Sequence, residues 1–139
     1  MATTLKSTGE GHRLAGIVLR LVVVALTLTT ALIHAQLGGL MFTLNALGYL
    51  ALATAMVLPG PFGAIRWLAR LVLVAFTAAT ICGWLLIGAR FPLAYLDKAI
   101  ELALLVFLAF EVWLDGGPAA IGGRLRRATA ALRGGVART

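Results

Sequence analysis

The stretch Tyr95–Asp115, YLDKAIELALLVFLAFEVWLD, limits the fold more than any other part of the chain. It is apolar enough to cross a bilayer, yet it carries Asp97, Lys98, Glu101, Glu111 and Asp115. At about 100° per residue, the four carboxylates fall within a helical stripe about 80° wide. Leu104 and Leu108 share that stripe, so it is acidic at both ends and apolar in the middle. Presenting such a stripe to lipid is costly. It should face protein or a watery cavity, which makes this segment the last helix of a small membrane bundle.

Composition agrees. The chain has 139 residues, 61% of them hydrophobic and 12% charged, and its mean hydropathy is +1.00. A soluble domain is nearer about 45–50% apolar and about 25% charged. The length accommodates one domain of about four spans. The net charge of +7 lies mostly outside the apolar runs. Aromatic and basic residues do not interleave as on a nucleic-acid surface, so no nucleic-acid partner is expected. The single cysteine, Cys82, removes an internal disulfide or a CxxC redox pair and reads as a small packing residue. The single serine, Ser7, lies in the N-terminal segment, which leaves no serine nucleophile in the apolar runs.

Residues 1–13 form a basic N-terminal segment, disordered at its start. Apolar runs at about 14–37, 40–58, 67–88 and 93–114 follow, each near the length that crosses a bilayer. Gly38-Gly39, Pro59-Gly60-Pro61, Arg90 with Pro92, and Asp115-Gly116-Gly117-Pro118 separate or close them. No A-x-A pattern follows the first run, which reads as a retained helix and not a signal peptide. The expected fold is all-α, a four-transmembrane-helix antiparallel bundle over residues 14–115. Residues 116–139 form a basic tail that sets topology. Ile121, Leu125, Ala128 and Leu132 give that tail amphipathic helical spacing, weakened by Gly122-Gly123 and Gly134-Gly135. Lys6, Arg13, Arg20, Arg66, Arg70 and the tail arginines flank one side, whereas the first loop has no basic residue. Both termini should be cytoplasmic in a cell membrane. Trp67 and Trp113 then mark the inner interface, and Tyr95 the outer one.

Every helix has a polar face. Arg13, Arg20, Thr27 and His34 recur at seven-residue spacing, which drifts only about 20° per step. The third helix offers Arg66, Arg70, Thr77, Thr80 and Trp84, and the second Asn45 and Tyr49. Small residues at Ala75, Ala79 and Gly83, and at Gly48, Ala51 and Ala55, suggest close-packing seams. Aligned by depth, Arg20, Arg66 and Arg70 meet Glu111 and Asp115. This reads as an inner ion-pair cluster, with a lipid-headgroup or partner site as the alternative. His34, Asn45, Asp97, Lys98 and Glu101 gather at the outer level. Glu101 is the deepest carboxylate, about 13 Å below Pro92 at 1.5 Å per residue. His34 or Lys98 is expected to pair with Asp97 and Glu101, and Asn45 to bridge helices. A structural network is the first reading of this outer group, and a ligand, proton or cation site the second. His34, Asp97 and Glu101 lack the spacing that focuses a metal, so no metal site is expected. No cofactor is expected either: His12 lies in the N-terminal segment, leaving no second histidine in the spans for a haem.

His34 closing the first helix, Leu44-Asn45-Ala46-Leu47-Gly48-Tyr49 in the second and Asp97-Lys98-x-x-Glu101 in the fourth resemble small four-helix prokaryotic membrane proteins with no assigned activity. The resemblance covers most of residues 14–115. It implies a fold and carries over no catalytic residue. A quinone-linked thiol oxidase is excluded, because that chemistry needs paired cysteines. With minimal loops and no nucleophile pair, the first functional expectation is a non-enzymatic accessory or assembly partner of a larger membrane complex. A small oligomeric transporter or ligand or proton carrier is the alternative, using His34 and Glu101. A lipid-modifying enzyme comes last, because His34 with Asp97 is a weak acid–base pair. The expected partners are the bilayer itself and another membrane protein or a second copy of the chain.

Overall fold

The structure, a computed structural model, describes residues 2–58 and 66–117 and, beyond them, residues 119, 122–123, 126–127 and 129–130. The break at Pro59-Gly60-Pro61 and the spacing of Ile121, Leu125, Ala128 and Leu132 lie outside the described residues. Four helices make up the described chain: α1 (Ala2–Leu37), α2 (Leu40–Val57), α3 (Arg66–Ile87) and α4 (Pro92–Leu114). Three of them contain spans long and apolar enough to cross a membrane, Leu14–Leu37, Leu40–Val57 and Arg66–Ile87. The 23 residues of α4 would extend about 34 Å at 1.5 Å per residue. What sets α4 apart is its charge.

The expected disorder at the start of the chain is corrected by α1, which is helical from Ala2. Nucleating a helix is costly and extending one is cheap. The apolar run supplies the nucleus, and no proline between residues 2 and 13 stops its extension upstream.

The connections are short for local reasons. Gly38 (φ 70°) and Gly39 (φ 84°) turn the chain between α1 and α2 in left-handed conformations that suit glycine. Thr43 then bonds back to the Gly39 carbonyl through both its amide and its hydroxyl, each at 3.0 Å. Between α3 and α4, the Trp84 indole donates to the Ala89 carbonyl at 3.0 Å, and the Arg90 guanidinium lies 4.0 Å above the Trp84 ring. Pro92 sits in the first turn of α4, where its missing N–H costs nothing.

Helix α1 packs on α2 and α4, and α3 packs on the same two. The result is inside out relative to a soluble protein. Leu21, Leu32, Leu40, Leu86, Ile87 and Val106 are exposed, whereas Thr27, Thr30, His34, Arg70, Thr77, Asp97, Lys98, Glu101 and Glu111 are buried. This is the distribution expected where the surrounding solvent is lipid. The α4 stripe faces protein from Asp97 to Glu111: Asp97, Glu101, Leu104, Leu108 and Glu111 are all buried, and Asp115 at its end is exposed. Val23, Met56, Leu73, Leu104 and Leu108 belong to the buried apolar core, and Leu104 and Leu108 lie between the two polar ends of the stripe.

The small-residue seams are only half as expected. At Gly48 an added Cβ would lie 2.6 Å from the Phe76 ring, so this glycine does permit close approach. On α3, Ala75 and Ala79 are exposed and nothing lies within 4 Å of a Cβ at Gly83. Ala79 and Gly83 leave room for a cavity and do not bring helices together. Cys82 is likewise exposed and does not fill a packing position. Gly48→Ala is expected to destabilise the protein by about 1–3 kcal/mol by overpacking against Phe76. Gly83→Ala should be close to neutral. Thermal melts of the two variants in one detergent check the contrast, and equal melting temperatures would contradict the packing described.

Candidate functional site

All four helices contribute to one buried polar network. Thr30 and His34 come from α1, Tyr49 from α2, Thr77 and Thr80 from α3, and Asp97, Lys98 and Glu101 from α4. The helical period explains the grouping. Thr30 and His34 are one turn apart, and Asp97, Lys98 and Glu101 occupy one turn.

Glu101 is the hub and is fully buried. Its Oε2 accepts from Lys98 Nζ at 2.6 Å, and its Oε1 accepts from the Tyr49 hydroxyl at 2.9 Å. The Thr80 hydroxyl lies 3.0 Å from the same Oε1, 2.8 Å from the Thr77 carbonyl and 2.9 Å from the Tyr49 oxygen, with one proton for three acceptors. Lys98 Nζ also lies 3.0 Å from Asp97 Oδ2, so a single ammonium bridges both carboxylates. Asp97 Oδ1 accepts a short bond from the Thr30 hydroxyl. His34 Nδ1 is 2.9 Å from the Thr30 carbonyl. A carbonyl only accepts, so Nδ1 carries the hydrogen. The other ring nitrogen, Nε2, faces Glu101 Oε1 at 3.9 Å, and Nδ1 is 3.6 Å from Asp97 Oδ1.

A cavity of about 510 Å³ opens directly on this network. Its walls are apolar and aromatic, with Leu37, Met41, Phe42, Phe76, Trp84, Ile87 and Phe91. Its polar lining includes His34, Asn45, Thr80, Asp97 and Lys98. The Phe76 ring packs edge-on against Tyr49 at 4.9 Å, tying the cavity wall to the Glu101 hub.

Of the five residues expected at the outer level, His34, Asp97, Lys98 and Glu101 are thus joined. Asn45 lines the cavity beside them and bridges no helices through a hydrogen bond among the described residues. Sequence reasoning missed Thr30. Its signal was its position four residues before His34, on the same helical face. Tyr49 and Thr80 were visible as polar residues on apolar helices, but nothing in the sequence pointed them at Glu101.

At the other end, Arg70 Nη2 lies 2.8 Å from Glu111 Oε1, Arg70 Nη1 bonds Asp115, and Arg20 Nε is 3.7 Å from Glu111 Oε1. Arg66 does not join, and no ion pair to it is found among the described residues. It lies one turn before Arg70, about 6 Å further along α3. Asp115, at the end of α4, is already taken by Arg70.

His34, Asp97 and Glu101 bring one ligand-type atom each within 4.8 Å of one another. Lys98 Nζ lies on the other carboxylate oxygens, Asp97 Oδ2 and Glu101 Oε2. Compared with known proteins, the chain matches no family model, no curated protein and no solved structure.

Proposed function

We propose that the chain is a small membrane protein of four antiparallel spans, with both termini cytoplasmic, that binds an amphipathic small molecule in the outward-facing pocket above His34, Asp97 and Lys98. The observation that carries this reading is the cavity of about 510 Å³, whose apolar walls end on a buried charged network drawn from four helices. A network serving only to hold helices together has no use for an adjoining void, because unfilled space costs stability. Apolar walls with a few convergent polar groups are the usual form of a small-molecule site. Ionisable groups inside a membrane are costly, which favours a role for them beyond packing. The assembly-partner reading rests on short connections, and a ligand carrier has those too.

Filling the pocket separates the two readings. Gly83→Phe places a ring into open space and should leave the thermal melt within a few degrees of the parent. The neutral fluorophore 1-aminoanthracene, titrated into protein in lipid nanodiscs, should bind the parent and bind the variant about tenfold more weakly or not at all. Equal binding to both proteins would remove the pocket reading, and a stable co-purifying protein would then favour the assembly partner. Topology is checked by reporter fusions. A fusion at Thr139 is expected to report cytoplasm and one at Gly39 the outside.

A further inference from the structure

The two polar ends of the bundle differ in charge balance. Arg20 and Arg70 face Glu111 and Asp115, two cations against two anions. At the pocket, Asp97 and Glu101 face one ammonium, Lys98, which leaves a surplus of one negative charge. The groups packed around this surplus are His34 from α1, Tyr49 from α2 and the Thr77 and Thr80 hydroxyls from α3. None of these is a fixed cation. Arg90, stacked on Trp84, is exposed to the surroundings at that end of the molecule. An uncompensated charge is costly in a low-dielectric interior, and one positive charge arriving beside Asp97 would offset it.

Resting on the pocket reading above, we infer that this is a site for a lipophilic organic monocation. The pocket supplies both halves of the recognition. Asp97 and the surplus charge attract the cationic centre, and a lining that includes Phe42, Phe76, Trp84 and Phe91 offers aromatic rings, which attract cations. Arg90 over the Trp84 ring, at 4.0 Å, is the same contact made within the chain. The His34 Nδ1 hydrogen is committed to the Thr30 carbonyl, and Nε2 faces Glu101 Oε1 at 3.9 Å, so the ring adds no fixed charge to the site.

Tetraphenylphosphonium and tetraphenylborate test the inference, because they share size and shape and differ only in the sign of a permanent charge. Titrated into the full-length protein in neutral-lipid nanodiscs, the phosphonium should bind about tenfold tighter or more than the borate. Asp97→Asn, which neutralises the network, should erase the preference. Borate binding as tightly as phosphonium would overturn the inference and leave the pocket reading standing. Neither ion binding, with 1-aminoanthracene also unbound, would remove both. The comparison of the two ions on the parent protein needs no variant, so a variant that fails to fold leaves the test intact.

Discussion

Lys98→Met is expected to lower stability more than any other single substitution in the bundle. Among the described residues, Lys98 Nζ is the one fixed cation touching both Asp97 and Glu101, at 3.0 and 2.6 Å, and all three side chains are nearly inaccessible. Removing one partner of a buried pair typically costs about 3–5 kcal/mol, because it strands the opposite charge. Here two carboxylates are stranded, partly relieved by the hydroxyls of Thr30, Tyr49 and Thr80. The converse substitution should be mild. Glu101→Gln removes the surplus negative charge and keeps an acceptor for Tyr49, so its melting temperature should fall little. Combined with Lys98→Met, it should recover part of the loss, because contacting groups couple. Melting temperatures of the two single variants and the double in one nanodisc composition give the asymmetry directly. A Glu101→Gln loss as large as that of Lys98→Met would show that the network is charge-balanced and held by pairing alone.

The second large effect is expected at the opposite end. Arg70 holds Glu111 at 2.8 Å and also bonds Asp115, and both Arg70 and Glu111 are buried. Arg70→Gln or Glu111→Gln alone should cost about 3 kcal/mol, reduced by whatever water reaches the partly exposed Arg20 and Asp115. The double variant should cost much less than the sum, because neither charge is then left alone. Arg66→Gln serves as the control and should be silent. Strict additivity between Arg70 and Glu111, or a large effect at Arg66, would contradict the pairing seen here.

These predictions draw on features of unequal visibility in the sequence. The helix boundaries could be read within a residue or two from 38 onward, because Gly38-Gly39, Arg90 and Pro92 break runs that are otherwise uniformly apolar. The upstream extension of α1 could not, since Thr3, Thr4 and Ser7 have weak helix preference and only the neighbouring span makes the helix continue. The stripe on α4 was legible because charges on an apolar helix have one tolerable direction, inward. Depth then matched Arg20 and Arg70 to Glu111, and His34 to Asp97 and Glu101. Thr30, Tyr49 and Thr80 were not legible as partners of the carboxylates. A hydroxyl on a membrane helix can also bond its own backbone, as Thr27 does to Val23 and Thr54 to Leu50. Only the packed structure says which alternative holds. The cavity was illegible for a related reason. Ala79 and Gly83 have the composition of a helix contact, and whether small residues mark closeness or vacancy depends on the neighbour opposite.

The buried apolar core around Val23, Met56, Leu73, Leu104 and Leu108 also has an electrical consequence. In a polarised membrane, most of the voltage falls across material that neither water nor ions enter. If the pocket holds a monocation beside Asp97, that charge lies five residues below Pro92, about 7.5 Å at 1.5 Å per residue, in a hydrocarbon core about 30 Å thick, about a quarter of the way across. One elementary charge moved through the whole field changes its energy by about 2.3 kcal/mol per 100 mV. The step into such a site would be worth about 0.6 kcal/mol, or roughly 2.5-fold in occupancy, per 100 mV. With the apolar core beneath it, the bound charge would go no further. Filling and emptying the pocket would register as a capacitive current, and its occupancy would follow the membrane potential without any ion completing the crossing.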